Sequence, residues 1–153
     1  MILALRVAGG AFLIAVLTCD LTFDLPVWRA RGRDSIGRDR ALDAMTEYYR
    51  RITARGSLLS ISVTVVMLGI LASLCHELVT APRTGLARFA IEGSLAAGPI
   101  LLAGIRTFPC ARRLAAGEGD AATRTEAARS IARDHALALP AMLAFVLTEL
   151  ARL

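Results

Sequence analysis

Hydrophobic positions gather into four long runs, residues 2–23, 57–79, 86–105 and 136–151, separated by stretches where arginine and acidic residues recur every few positions. A helix needs about 20 mostly apolar residues to cross a hydrocarbon core of ~30 Å, and the first three runs have that length. The fourth reaches it if its helix starts upstream, where Ser130, Ile131, Ala132 and Ala136 supply further turns. The pattern predicts an all-α integral membrane four-helix bundle in a single domain, with helices over about 2–23, 39–79, 86–106 and 121–152.

The connecting segments refine this outline. Leu42, Met45, Tyr49 and Ile52 recur at spacings of three and four, which puts one apolar stripe on an otherwise charged helix. Helix two is therefore expected to run from 39 to 79 and project beyond the membrane, with Gly56 as its natural break and a separate interfacial helix as the alternative. Helix four is expected to extend on the same side, capped by Asp120 after a turn at Gly117 and Gly119. Pro26 reads as the stop after helix one, and 29–38 as loop. Pro99 and Pro140 lie inside helices three and four, where each is expected to kink the chain. Gly9-Gly10 lets a neighbouring helix approach helix one closely.

Composition sharpens the membrane reading. The hydrophobic fraction is 56%, above the roughly 45–50% of soluble domains, and it is concentrated in the runs. The basic residues are all arginine. Eight lie in 24–56 and six in 106–133, against two in 80–88. By the positive-inside rule both Arg-rich connections face the cytoplasm and both termini the outer side, as expected for a multi-pass protein of a bacterial inner membrane. The net charge of +5 is thus a topology signal, and no nucleic-acid motif accompanies it. Arg6, the apolar 7–17 and Cys19 loosely outline a lipoprotein leader, but Thr18 stands where a small residue is expected. Cys19, Cys75 and Cys110 form no CxxC pair and read as buried small hydrophobes.

Ionisable groups within a membrane are costly, so each one is a candidate for function. The predicted topology sorts them into two layers. The inner layer holds Asp20, Asp24, Tyr48, Tyr49, Arg106, Cys110, Asp134 and His135. Asp20 and Asp24, four apart, share a face and form a carboxylate pair that an arginine or histidine from another helix would neutralise. With His135 they offer oxygen and nitrogen ligands suited to iron, manganese or zinc, without a recognised metal spacing. The structural alternative is interfacial ion pairing, Asp24 with Arg106 for example, with Tyr48 and Tyr49 as interface anchors. The outer layer holds Arg6, His76, Glu77, Glu92, Glu149 and Arg152. Glu92, deep in helix three, needs a partner, and Arg6 or His76 matches it in depth. Glu149 and Arg152 read as a solvated pair. The motifs of zinc proteases, serine hydrolases, nucleotide-binding loops and c-type haem are all missing, so no cofactor is specified.

Tyr48-Tyr49-Arg50-Arg51 before helix two, Arg106-Thr107-Phe108-Pro109 with Arg112-Arg113-Leu114 after helix three, and Asp134-His135 opening helix four resemble the small four-helix bacterial membrane proteins grouped with the fungal anthrone oxygenases. That resemblance implies oxidation of a lipophilic aromatic substrate without an obvious cofactor, and only His135 maps onto a family residue. The chain is more weakly similar to the membrane-associated glutathione transferases, but their Asn and Glu at the start of helix two have no counterpart in Arg55–Ser62. The leading expectation is an enzyme acting on a lipophilic ligand at the inner layer. His135 would serve as acid, base or ligand, Asp20 and Asp24 as carboxylates, and Arg106 would bind an anion. The alternative is a small transporter or accessory subunit in which Glu92, with Arg6 or His76, carries a proton or cation. Under either, the stretch Gly93–Gly98 is a candidate contact for homo-oligomerisation.

Overall fold

A computed structural model describes residues 2–29, 35–54, 57–80 and 86–152. The described chain is helical throughout: α1 (Ile2–Arg29), α2 (Ser35–Ile52), α3 (Leu58–Thr80), α4 (Leu86–Leu102), a π-helical turn (Ala103–Thr107), α5 (Phe108–Ala116) and α6 (Ala121–Leu150). Four stretches are long and apolar enough to cross a membrane: Ile2–Arg29, Leu58–Thr80, Ala87–Ala116 and Ala121–Leu150. In none of their most apolar windows is more than 39% of the residues buried inside the protein. Leu68, Ile91, Ile105, Leu137 and Leu147 are among the large apolar side chains left facing outward, a surface suited to lipid.

Helix α1 packs most extensively on α6, and α4 also packs on α6. The buried positions of α1 (Arg6, Gly9, Gly10, Leu13, Asp20, Asp24 and Val27) make one stripe at helical spacing. Gly10 is where α1 meets α6 most closely, since a Cβ there would lie 2.5 Å from Val146 Cγ2. One apolar core joins Leu13, Met67, Ile70, Ile100, Met142 and Phe145 between α1, α3, α4 and α6. A second joins Val27, Leu42, Met45, Tyr49, Leu114 and Ile131, and seats the apolar stripe of α2 against α5 and α6. The opposite face of α2 is charged and solvated. Glu47 accepts hydrogen bonds from Arg51 and Arg50, and the Arg51 bond chiefly holds its carboxyl below the usual range.

Several boundaries differ from the sequence expectation. Helix α1 runs through Pro26 to Arg29, because proline removes one N–H and crowds one carbonyl but does not forbid further turns where packing favours them. Val27, beyond the proline, is buried at 1% exposure and supplies that packing. Helix two is two helices. The ladder ends where Thr53 N–H and Oγ1 both donate to the carbonyl of Tyr49, and Ser57 Oγ begins the next helix by accepting from Ser60 N–H. Gly56 itself, residues 30–34 and the turn at 81–85 lie outside the described residues, and the expected loop over 29–38 is shortened at both ends, since Arg29 belongs to α1 and Ser35 begins α2.

Helix three does not end near 106. Pro109 cannot donate to the carbonyl four residues back, and the ladder changes to a wider turn just before it, with Phe108 N–H donating to Ala103 O. The proline then sits in the first turn of α5, where its missing N–H costs nothing. At the far end, Gly117 and Gly119 turn the chain with φ of 70° and 85°. Asp120 caps α6 by accepting from Thr123 N–H at 2.8 Å, and the Thr123 side chain, followed by this N–H, lowers its pKa. Cys19 and Cys75 are exposed and so are not the buried small hydrophobes expected, whereas Cys110 is half-buried and packs against the second core.

Candidate functional site

The stripe of α1 carries two polar layers, each completed by α6. At one end Arg6 is 1% exposed. Its Nε donates to Ser73 Oγ at 2.9 Å, one terminal nitrogen to the Ser73 carbonyl at 2.6 Å, and the other to Glu149 at 3.2 Å and to Glu77. Arg152 closes the layer by donating to Glu149 at 3.1 Å, Glu77 at 3.2 Å and Glu92 at 3.4 Å. Glu92 also accepts from Arg88, one turn back on α4, at 2.7 Å.

This arrangement revises three expectations. Glu92 pairs with Arg88 and Arg152, not with Arg6 or His76, because a residue one turn away on its own helix reaches it first. His76 is exposed on α3. Glu149 is fully buried between two guanidiniums and is no solvated pair, since α1 brings Arg6 to it. Among the described residues the layer holds three arginines and three glutamates, all paired.

The other layer is built differently. His135 Nδ1 lies 2.7 Å from Asp24 Oδ2, and its Nε2 lies 3.9 Å from Asp20 Oδ2. Tyr49 Oη donates to Asp24 Oδ1 at 2.9 Å, and Tyr48 Oη to Asp20 Oδ1 at 2.5 Å. Phe23 stacks on Tyr48 at 4.0 Å between ring centroids and fixes that phenol from below. Asp24 is 0%, Asp20 7% and His135 8% exposed. Burial and the neighbouring carboxylates push both phenols well above the ordinary tyrosine value, so both remain donors.

The structure thus brings Asp20, Asp24 and His135 together but leaves Arg106 out. Arg106 bonds Ser130 Oγ at 2.7 Å and lies 3.5 Å from Asp134 Oδ2. Thr107 Oγ1 donates to the same Asp134 oxygen at 3.3 Å. The expected Asp24–Arg106 pair does not form, because the π-helical turn precedes α5 and hands Arg106 to the neighbouring acid on α6. Nor do Asp20, Asp24 and His135 converge on a metal: no group of three or more such ligands is present among the described residues. The imidazole sits between the carboxylates with one nitrogen toward each.

Two cavities flank the pair Asp20 and His135. One, about 110 Å³, is bounded by Val16, Leu59, Val63 and Phe108 with Ser60, Thr64 and exposed Arg112 toward its rim. The other, about 70 Å³, is bounded by Leu13, Met67, Ile100 and Met142. Asp20, His135, Val16, Val63, Thr107 and Phe108 line both. The apolar cavity reaches toward the membrane-spanning core and the larger one toward α2. The roles of Tyr48 and Tyr49 as carboxylate donors were missed by reading them as interface anchors. The available signal was their spacing, since two adjacent tyrosines can serve two carboxylates one turn apart. The stretch Gly93–Gly98 lines a separate open groove between α3 and α4. No family model matches the chain, and neither does any curated protein or solved structure.

Proposed function

We propose that this chain is an integral membrane protein that binds a small lipophilic molecule at the Asp20–Asp24–His135 cluster and moves a proton at it. The observation that carries the reading is the orientation of His135. Asp24 accepts from Tyr49 and stands 2.7 Å from Nδ1, and a carboxylate can only accept, so Nδ1 carries the proton. The Nε2 lone pair is then left to face the cavities, with no hydrogen-bond partner closer than the 3.9 Å to Asp20.

A buried carboxylate that fixes the tautomer and stabilises the imidazolium once formed is the arrangement that makes histidine an effective general base. The walls around Nε2 are mostly apolar, which favours a ligand with a hydrocarbon body. The Arg-rich segments α2 and α5 lie at this end, which supports placing the site on the cytoplasmic side. The oxygenase resemblance, in which only His135 maps onto a family residue, points to the same side chain.

The test is to purify the full chain in detergent, extract it with organic solvent and analyse the extract by mass spectrometry. A lipophilic small molecule should accompany the wild type and be lost in His135→Ala and in Val63→Trp, which fills both cavities. Extracts that are indistinguishable across wild type and both folded variants would sink the reading.

A further inference from the structure

We infer that the ligand of this site is a cation: a small lipophilic amine, held as its ammonium between Asp20 and His135. This rests on the reading of the cavities as a lipophilic site and names the chemical class that fills it.

The first observation is charge. Two carboxylates, Asp20 and Asp24, are buried within one helical turn of each other, and among the described residues the only basic group within 4 Å of either is His135. Even a protonated imidazole leaves the cluster negative. The nearby basic groups are engaged or solvated: Arg106 is committed to Ser130 and Asp134, and Arg133 is half-exposed beside Asp134. Arg112 is exposed at the rim of the larger cavity, where solvent screens its charge.

The second observation is unmet acceptor capacity. Asp20 is 7% exposed and lines both cavities. Tyr48 occupies its Oδ1, whereas Oδ2 lies 3.9 Å from His135 Nε2, beyond hydrogen-bond reach. With Nδ1 protonated toward Asp24, Nε2 is itself an acceptor. Two acceptors 3.9 Å apart are spanned by one tetrahedral nitrogen that donates to each at about 2.9 Å. A hydroxyl has one proton and satisfies only one of them. An anion is repelled by Asp20, and a wholly apolar ligand that displaces water leaves that carboxylate unpartnered, which is costly.

Size limits the hydrocarbon part. An apolar cavity of ~150 Å³ accepts benzene, so the larger of these two, about 110 Å³ and adjoining the second, suits a single ring or a short branched chain. The route is set by the apolar cavity, which admits the neutral amine from the membrane side. The amine takes a proton from the imidazolium when His135 is charged, giving ammonium and neutral imidazole. The reverse transfer releases it.

The experiment titrates the full-length protein in nanodiscs, with empty discs subtracted, using benzylamine and benzyl alcohol at neutral pH. The two probes share a skeleton and differ in charge and donor count. Benzylamine is expected to bind at least tenfold more tightly, and Asp20→Asn, which keeps an acceptor for Tyr48, should bring the two within about twofold. Equal affinities for wild type, or a preference untouched by Asp20→Asn, overturn the amine assignment and leave the lipophilic site standing. Binding of neither probe overturns both. If Asp20→Asn fails to fold, the wild-type comparison decides alone, with Glu77→Gln as a variant in which the preference should persist.

Discussion

Arg6 and Asp20 lie fourteen residues apart on the buried stripe of α1, about 21 Å along the helix, yet the layers they anchor are built on opposite principles. Around Arg6, three guanidiniums meet three carboxylates, and each buried charge has more than one partner. Around Asp20, two carboxylates share one imidazole, and one carboxylate oxygen faces an apolar cavity with no donor in reach. Both layers are buried and polar, so burial and polarity do not separate structure from function here. The balance of charge does. A neutral, fully bonded network has nothing left to offer a ligand, whereas an excess of acceptors is a standing cost that folding alone does not explain.

The comparison breaks first, and most visibly, at Arg6. Replacing it with alanine leaves Glu149 buried with Arg152 alone and strips Ser73 of its donor. Removing one partner of a buried ion pair costs about 3–5 kcal/mol, and Arg6→Ala is expected to fall in that range in a reversible unfolding titration in detergent. The double variant Arg6→Met with Glu149→Leu should recover most of the loss, because it removes the charges together and keeps the volume. If Arg6→Ala unfolds like the wild type, the network is not what holds this end of α1 against α6.

Much of this architecture was legible in the sequence, and the failures have a common cause. Run length and helical period gave the four apolar stretches, the buried stripe of α2 and the cap at Asp120. The proximity of Asp20 to Asp24 followed from their spacing alone. Partner choice did not, since it depends on rotations about helix axes that periodicity leaves open. Arg106 went to Asp134 because of a π-helical turn that only the ladder around Pro109 reveals. Glu92 went to Arg88, a local pair that depth-matching across helices overlooked. The boundary at Pro26 failed because tertiary packing of Val27 outweighed a local rule.

A smaller effect sharpens the other layer. Tyr49 is 2% exposed and gives its hydroxyl to Asp24, so Tyr49→Phe leaves a buried carboxylate with one donor fewer. The expected loss is about 1 kcal/mol, the scale of one net hydrogen bond. Tyr48 is less buried, and Tyr48→Phe should cost less. Equal losses, or a greater loss at Tyr48, would mean that the two phenols act as membrane anchors and not as carboxylate donors.

The smallest expected change is the most informative. In a layer that existed to hold α1 against α6, Asp20→Asn would weaken the protein as any buried ion-pair deletion does. In a layer held negative for a ligand, the same substitution removes like-charge repulsion with Asp24, keeps the acceptor for Tyr48 and leaves the Asp24–His135 bond intact. Its stability in the absence of ligand should therefore match the wild type within about 0.5 kcal/mol or exceed it, the pattern of sites that trade stability for function. A loss comparable to that of Arg6→Ala would place both layers in the same structural class and remove the physical reason for looking for a ligand at His135.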